Sequence, residues 1–265
     1  MTGRPTNPPN LRDQILADFA TLKVPLTAEQ LDAALAAAER DGLTHLEVVH
    51  RLVAEQASQR RERSIARRIQ AARFKELKTL ATFDWDFNAK AIQRVQIEEL
   101  ATGAFIGRRD NLVFVGQSGV GKSHIIQAVG QAACVLGHRV RYTTSGDLLK
   151  DLNASLADRS LPERVNYYAR FDLLIVDEFG FDHIERKETS QTTNLLYKII
   201  DARSQQRSTA LVTNIDFDAW GEYLGDPPLA MAFLDRIVDG AIILKIKGKS
   251  YRAHRAQQPD RKATK

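Results

Sequence analysis

Apolar residues change period along the chain. From Leu11 to Leu22 they fall at helical spacing, with Leu11, Ile15, Leu16 and Phe19 on one face. Thr27-Ala28-Glu29-Gln30 reads as a capping box for a helix running to about Arg40, with Gly42 to stop it. Thr44-His45-Leu46-Glu47 is a second capping box. It opens a helical stretch from His45 to about Leu80, whose early apolar positions Leu46, Val49, Leu52 and Val53 are expected to pack on the two shorter helices. Residues 1–80 thus predict a small all-helical domain, and Pro5, Pro8 and Pro9 make residues 1–10 a loose tail. Phe83, Trp85 and Phe87 then alternate with Asp84 and Asp86. That period of two predicts an extended segment with its aromatic rings buried against the next domain; stacking on a base is the other reading. Helical spacing returns from Ala91 to Leu100, and Arg108 to Asn111 reads as a turn.

From Asn111 onward the period alternates. Strands are expected at 111–116, 139–144, 172–177, 209–214 and 241–246, with helices at about 122–136, 146–156, 189–203 and 228–238. This is an α/β pattern: a parallel β-sheet flanked by helices on both faces, filling a second domain over residues 81–265. Right-handed crossovers would gather the loops that follow the strands at one end of the sheet.

Charge changes the picture in one place. Lys and Arg outnumber Asp and Glu by 38 to 33, a net +5 that fits a soluble basic protein as well as a polyanion binder. Between Ser58 and Lys78, however, eight basic residues face two acidic ones, a local net of +6. Arg60, Arg61, Arg63, Arg67, Arg68 and Arg73 stud one helical stretch, and Arg60, Arg63 and Arg67 share a face. Such an edge suits DNA phosphates; a solvated helix joining two domains is the alternative. The chain has one cysteine, Cys134, so it cannot close a disulfide by itself. No stretch approaches ~18 apolar residues, and Met1 to Asn10 lacks the apolar core of a signal peptide. The expectation is a cytoplasmic protein with no membrane contact.

The candidate chemistry begins at Gly116-Gln117-Ser118-Gly119-Val120-Gly121-Lys122-Ser123, a G-x-x-x-x-G-K-S phosphate loop, or Walker A motif. It lies between the apolar run Asn111 to Val115 and a helical pattern, the context this motif requires. Glycines let backbone N–H groups approach phosphates closely, and the helix dipole favours the anion. Lys122 suits the β- and γ-phosphate oxygens of ATP, and the Ser123 hydroxyl suits Mg²⁺. Phe171 to Glu178 is an apolar strand ending in two acids, a Walker B pattern. Asp177 suits Mg²⁺, and Glu178 suits a water attacking the γ-phosphate. Asn214 ends the next apolar strand, where its amide could hold that water or touch the γ-phosphate.

At this point the chain resembles a known family. The segment from about Phe83 to Arg252 is similar to AAA+ ATPases of the IstB-like group, ATP-binding helpers of insertion-sequence transposases related to DnaC-type helicase loaders. The resemblance rests on Val115 to His124, Leu173 to Gly180, Val212-Thr213-Asn214, Asp218 to Gly221, Phe233 to Ile237 and Gly248 to Arg252. It implies an AAA+ phosphate-loop fold and places His124 in the nucleotide-binding loop. It makes Asn214 a sensor-1 residue and Arg236 an arginine finger offered to a neighbouring subunit. The group often carries Thr at the position of Ser123 and Ser at that of Thr213. No helical lid is expected after Arg252, which is one candidate for a sensor-2 arginine. The implied function is a DNA-dependent ATPase whose subunits assemble as a homo-oligomer on double-stranded DNA and recruit or activate a transposase. A DnaC-like replicative helicase loader is the first alternative. A small-molecule phosphoryl transferase is the second, against which Glu178 is placed for water.

Overall fold

The computed structural model describes residues 10–180 and 189–257. The chain divides into two compact units, Met1–Ala66 and Arg67–Lys265.

The first unit holds α1 (Leu11–Thr21), α2 (Ala28–Asp41) and most of α3 (His45–Ala72). Both capping boxes form. Gln30 N–H donates to Thr27 Oγ1 while Thr27 N–H donates to Gln30 Oε1, and Thr44 and Glu47 repeat the exchange. Gly42 ends α2 in the left-handed region, at φ 65°. The unit's small core forms around Leu31 and Ala37. Leu46, Val49 and Val53, expected to pack on the shorter helices, are instead 79%, 57% and 53% exposed. Helical spacing puts them on one stripe, but spacing does not say which way the stripe faces.

The long helix is shorter than the expected run to Leu80. Arg73 takes φ 57° and turns the chain out of the helix after Ala72. The compact units part near Ala66, not near residue 80, because the last turns of α3 pack within the second unit. Ile69 and Phe74 pack against its core, and Arg68 Nε donates to the Cys134 carbonyl at 2.9 Å. The expected tail lies almost wholly at residues 1–9, outside the described residues.

Residues 83–93 form turns rather than an extended run. Asp84 Oδ1 accepts from the N–H groups of Asp86 and Phe87, a side-chain turn that competes with strand pairing. Phe83 and Trp85 do pack against the core as expected, whereas Phe87 meets the rings of Tyr251 and His254.

After α4 (Arg94–Ala101) and α5 (Ala104–Arg108), the second unit alternates. Its order is β1 (Leu112–Val115), α6 (Lys122–Leu136), β2 (Val140–Thr144), α7 (Ser145–Ala157), α8 (Leu161–Ala169), β3 (Leu173–Phe179), α9 (Thr189–Arg203) and β4 (Ser208–Thr213). Then come α10 (Trp220–Leu224), α11 (Pro227–Val238), β5 (Ile242–Lys245) and α12 (Tyr251–Gln257). The strands pair in parallel in the order β2-β3-β4-β1-β5. Successive strand residues serve opposite faces. Leu173 and Ile175 join α4 and α6 residues such as Ile97, Ile125 and Val129 in one core. Leu174 and Val176 join Leu148, Tyr168, Ile199 and Phe233, from α7, α8, α9 and α11, in the other. Both faces of β1, β3 and β4 are covered, which is why β1 and β3 read as continuous apolar runs.

Candidate functional site

The site lies where β1 and β3 end. Gly116, Gly119 and Gly121 let the loop curl tightly between β1 and α6. A Cβ at Gly116 would lie 2.3 Å from the Ile246 carbonyl oxygen, and Gly119 and Gly121 adopt φ 84° and 107°. Lys122 turns back over the loop and donates to the carbonyls of Gly116 at 2.6 Å and Gln117 at 2.9 Å. Burial holds its ammonium below the usual lysine range; the Asp177 carboxylate works against the shift and the nearby Arg252 adds to it. A buried cation beside loop N–H groups at a helix N-terminus is chemistry for phosphates.

Asp177 is 1% exposed and held by three donors. Ser123 Oγ donates to its Oδ1 at 3.1 Å, the Glu178 N–H to the same oxygen at 2.8 Å, and the Tyr142 hydroxyl to Oδ2 at 2.9 Å. Burial, then the Asp177 charge, pushes the Tyr142 phenol up, so it stays a donor. A hydroxyl and a carboxylate this close fit a hard divalent cation, for which Ser123 and Asp177 could supply oxygens.

Glu178 follows in a backbone irregularity. The β3–β4 register shifts between Val176 and Phe179, and Glu178 takes φ 60°. A left-handed non-glycine residue costs about 1–2 kcal/mol, and such bulges re-aim a side chain out of the sheet. Ser145 Oγ donates to the Glu178 carbonyl, and Lys75 Nζ lies 3.1 Å from Glu178 Oε1.

Asn214 sits just past β4, the neighbour of β3. Its Oδ1 is buried without a hydrogen-bond partner among the described residues and faces Gly180, where a Cβ would stand 2.9 Å from that oxygen. An orphaned buried amide oxygen beside the acidic strand end is suited to an ordered water or a ligand.

The remaining expected residues separate. His124 follows the loop, but its Nε2 donates to the Thr79 carbonyl and its ring meets Phe83. Arg252 lies on α12, where Tyr251 N–H donates to the Gly119 carbonyl at 2.9 Å, so the segment around Ser250 folds onto the phosphate loop. Arg236 lies at the other end of the sheet. Its carbonyl accepts from Asn111, the residue before β1, and its guanidinium pairs with Asp201 and Asp235 at 3.2 and 3.1 Å. Arg60, Arg61, Arg63, Arg67 and Arg73 are exposed along and just after α3, while Arg68 is half-buried at the C-terminal end of α6. Sequence reasoning missed Tyr142, Ser145 and Lys75, because their meeting with β3 depends on strand order and on the turn at Arg73.

The phosphate loop after β1, the acids ending β3 and the order β2-β3-β4-β1-β5 define an ATP-binding protein of the AAA+ phosphate-loop class. Crystal structures of the same fold include the DnaC helicase loader, with TM-score 0.53 at 19% identity over 67% of this chain and all of that one. AMPPCP-bound DnaA from Aquifex aeolicus gives TM-score 0.52 at 21% identity over 66% of this chain and 51% of that one.

The chain belongs to the IstB-like ATP-binding protein family, whose model matches residues 17–259. A relative from Bacillus thuringiensis subsp. berliner, described as a putative ATP-binding protein of insertion sequence IS232, is 31% identical over 243 residues, covering 92% of this chain and 95% of its own. A Pseudomonas aeruginosa relative described in the same way for IS21 is 32% identical over 234 residues, covering 88% and 86%. No helix among the described residues is long and apolar enough to cross a membrane.

Proposed function

We propose that this protein is a DNA-dependent ATPase that serves the transposase of an insertion sequence. ATP-bound subunits assemble on duplex DNA, contact its backbone through α3, and recruit or activate the transposase in the cytoplasm. Hydrolysis then resets the assembly. The observation that carries the hydrolytic half is the acidic pair ending β3: Asp177 beside Ser123 for Mg²⁺, and Glu178 turned out of the ladder for the attacking water. The insertion-sequence half is supported by relatives similar over almost the whole chain. A structure described as DnaA bound to AMPPCP and single-stranded DNA shares the fold and combines both ligands in that protein.

The test is turnover of ATP by the full chain, with and without duplex DNA and Mg²⁺. Hydrolysis should need Mg²⁺ and rise with DNA. Glu178→Gln should bind ATP, remain assembled on DNA and lose turnover, because Asp177 still serves the metal while the basic carboxylate is gone. Wild-type turnover in that variant would sink the assignment. Co-purification with a replicative helicase instead of a transposase would support the loader reading.

A further inference from the structure

The contact of Lys75 with Glu178 joins the catalytic candidate to the segment that leaves the basic helix. This segment is anchored on both sides of Lys75. Phe74 packs against the core and lies 6.2 Å, ring to ring, from Tyr142. Glu76 N–H donates to Gln127 Oε1 at 3.0 Å, and Gln127 Nε2 donates to the Ser123 carbonyl in the first turn of α6. Lys75 Nζ therefore reaches Glu178 Oε1 from a fixed base. The Glu178 main chain is also fixed, its N–H donating to Asp177 and its carbonyl accepting from Ser145. Only the side chains of the pair are free to part.

A carboxylate that must polarise water needs an unoccupied oxygen to receive it. An ammonium bonded to it occupies one of its two oxygens. The pair is exposed, 58% at Lys75 and 40% at Glu178, so it is weak and a rival anion can capture the lysine. Lys75 belongs to the same basic stretch as Arg67, Arg73 and Lys78. Building on the reading of Glu178 above, we propose that Lys75 is a positioning residue that restrains Glu178 in the DNA-free subunit, and that duplex DNA bound along this stretch draws the ammonium onto its phosphates and frees the carboxylate.

The test compares ATP turnover by full-length wild type, Lys75→Met, Lys75→Arg and Glu178→Gln, with and without a duplex oligonucleotide, alongside ATP affinity. Lys75→Met keeps the stem and removes the charge. Its DNA-free rate should rise up to roughly five-fold, the scale of an exposed ion pair. ATP affinity and the rate at saturating DNA should stay as in wild type, so the stimulation ratio shrinks by the same factor. Lys75→Arg restores the pair and should restore the low DNA-free rate. An unchanged or lower DNA-free rate in Lys75→Met, with Glu178→Gln inactive, overturns the restraint and leaves the role of Glu178 standing. A raised rate with an undiminished stimulation ratio overturns release by DNA. Wild-type turnover in Glu178→Gln overturns both readings together.

Discussion

Lys122 is the only side-chain cation that the phosphate loop itself carries, and it already hydrogen-bonds the two carbonyls that open the loop. Its bonds to phosphate are charge-assisted, and losing one costs about 1.5–3 kcal/mol. Lys122→Ala should therefore weaken ATP binding by roughly ten- to a hundred-fold in a fluorescent-nucleotide titration; unchanged affinity would refute the loop's role. Gly116 is needed for a different reason. A Cβ there would press on the Ile246 backbone oxygen, which has no rotamer to give. Gly116→Ala should lower stability by about 1–3 kcal/mol as an overpacked site and impair nucleotide binding through the displaced loop. Thermal melts with and without ATP would separate these effects, and a wild-type melting temperature would show that the strand end yields.

Among the elements, α3 was legible as a helix but not as two different surfaces. Its first turns expose Leu46, Val49 and Val53, while its last turns bury Ala72 and spend Arg68 on the Cys134 carbonyl, near the negative end of α6. The DNA reading therefore rests on the exposed arginines. Replacing Arg60, Arg63 and Arg67 together by Ala should reduce the salt slope of log K for duplex DNA by about 0.9 for each phosphate left without its arginine, with ATP affinity unchanged. An unaltered slope would move the DNA-binding surface elsewhere. On β3, the continuous apolar run announced the strand, but the bulge that turns Glu178 out did not show. A bulge depends on pairing with β4, and pairing is not a property of one strand's sequence.

On the scale of the whole molecule, Arg236 stands at the end of the sheet opposite the phosphate loop of its own chain. Its pairs with Asp201 and Asp235 are exposed and cost little to break. Arg236→Ala should bind ATP but hydrolyse it poorly, by as much as ~10³-fold if it stabilises transition-state charge in trans. Mixing it with Lys122→Ala should restore some activity, because an intact pocket then meets an intact arginine across the subunit boundary. No recovery at any ratio, with normal assembly of Arg236→Ala on DNA, would exclude the trans role.

What the residues determined alone was local. The G-x-x-x-x-G-K-S loop, the apolar runs ending in acids, both capping boxes and the α/β alternation all depend on neighbours a few positions apart, where steric preference and hydrogen-bond reach are encoded directly. Only the tertiary structure decided which strand lies beside which. It set Tyr142 and Ser145 of the β2–α7 edge against the acids of β3, left the Asn214 oxygen without a partner among the described residues, and brought Lys75 to Glu178. It also buried Arg203, whose guanidinium donates to the carbonyls of Tyr168, Ala169, Phe171 and Ser208 and ties two loops together at the foot of the sheet. These contacts join residues far apart in the chain. They exist because the inner strands of a parallel sheet must bury both faces at once, a condition on the whole sheet that no local spacing records.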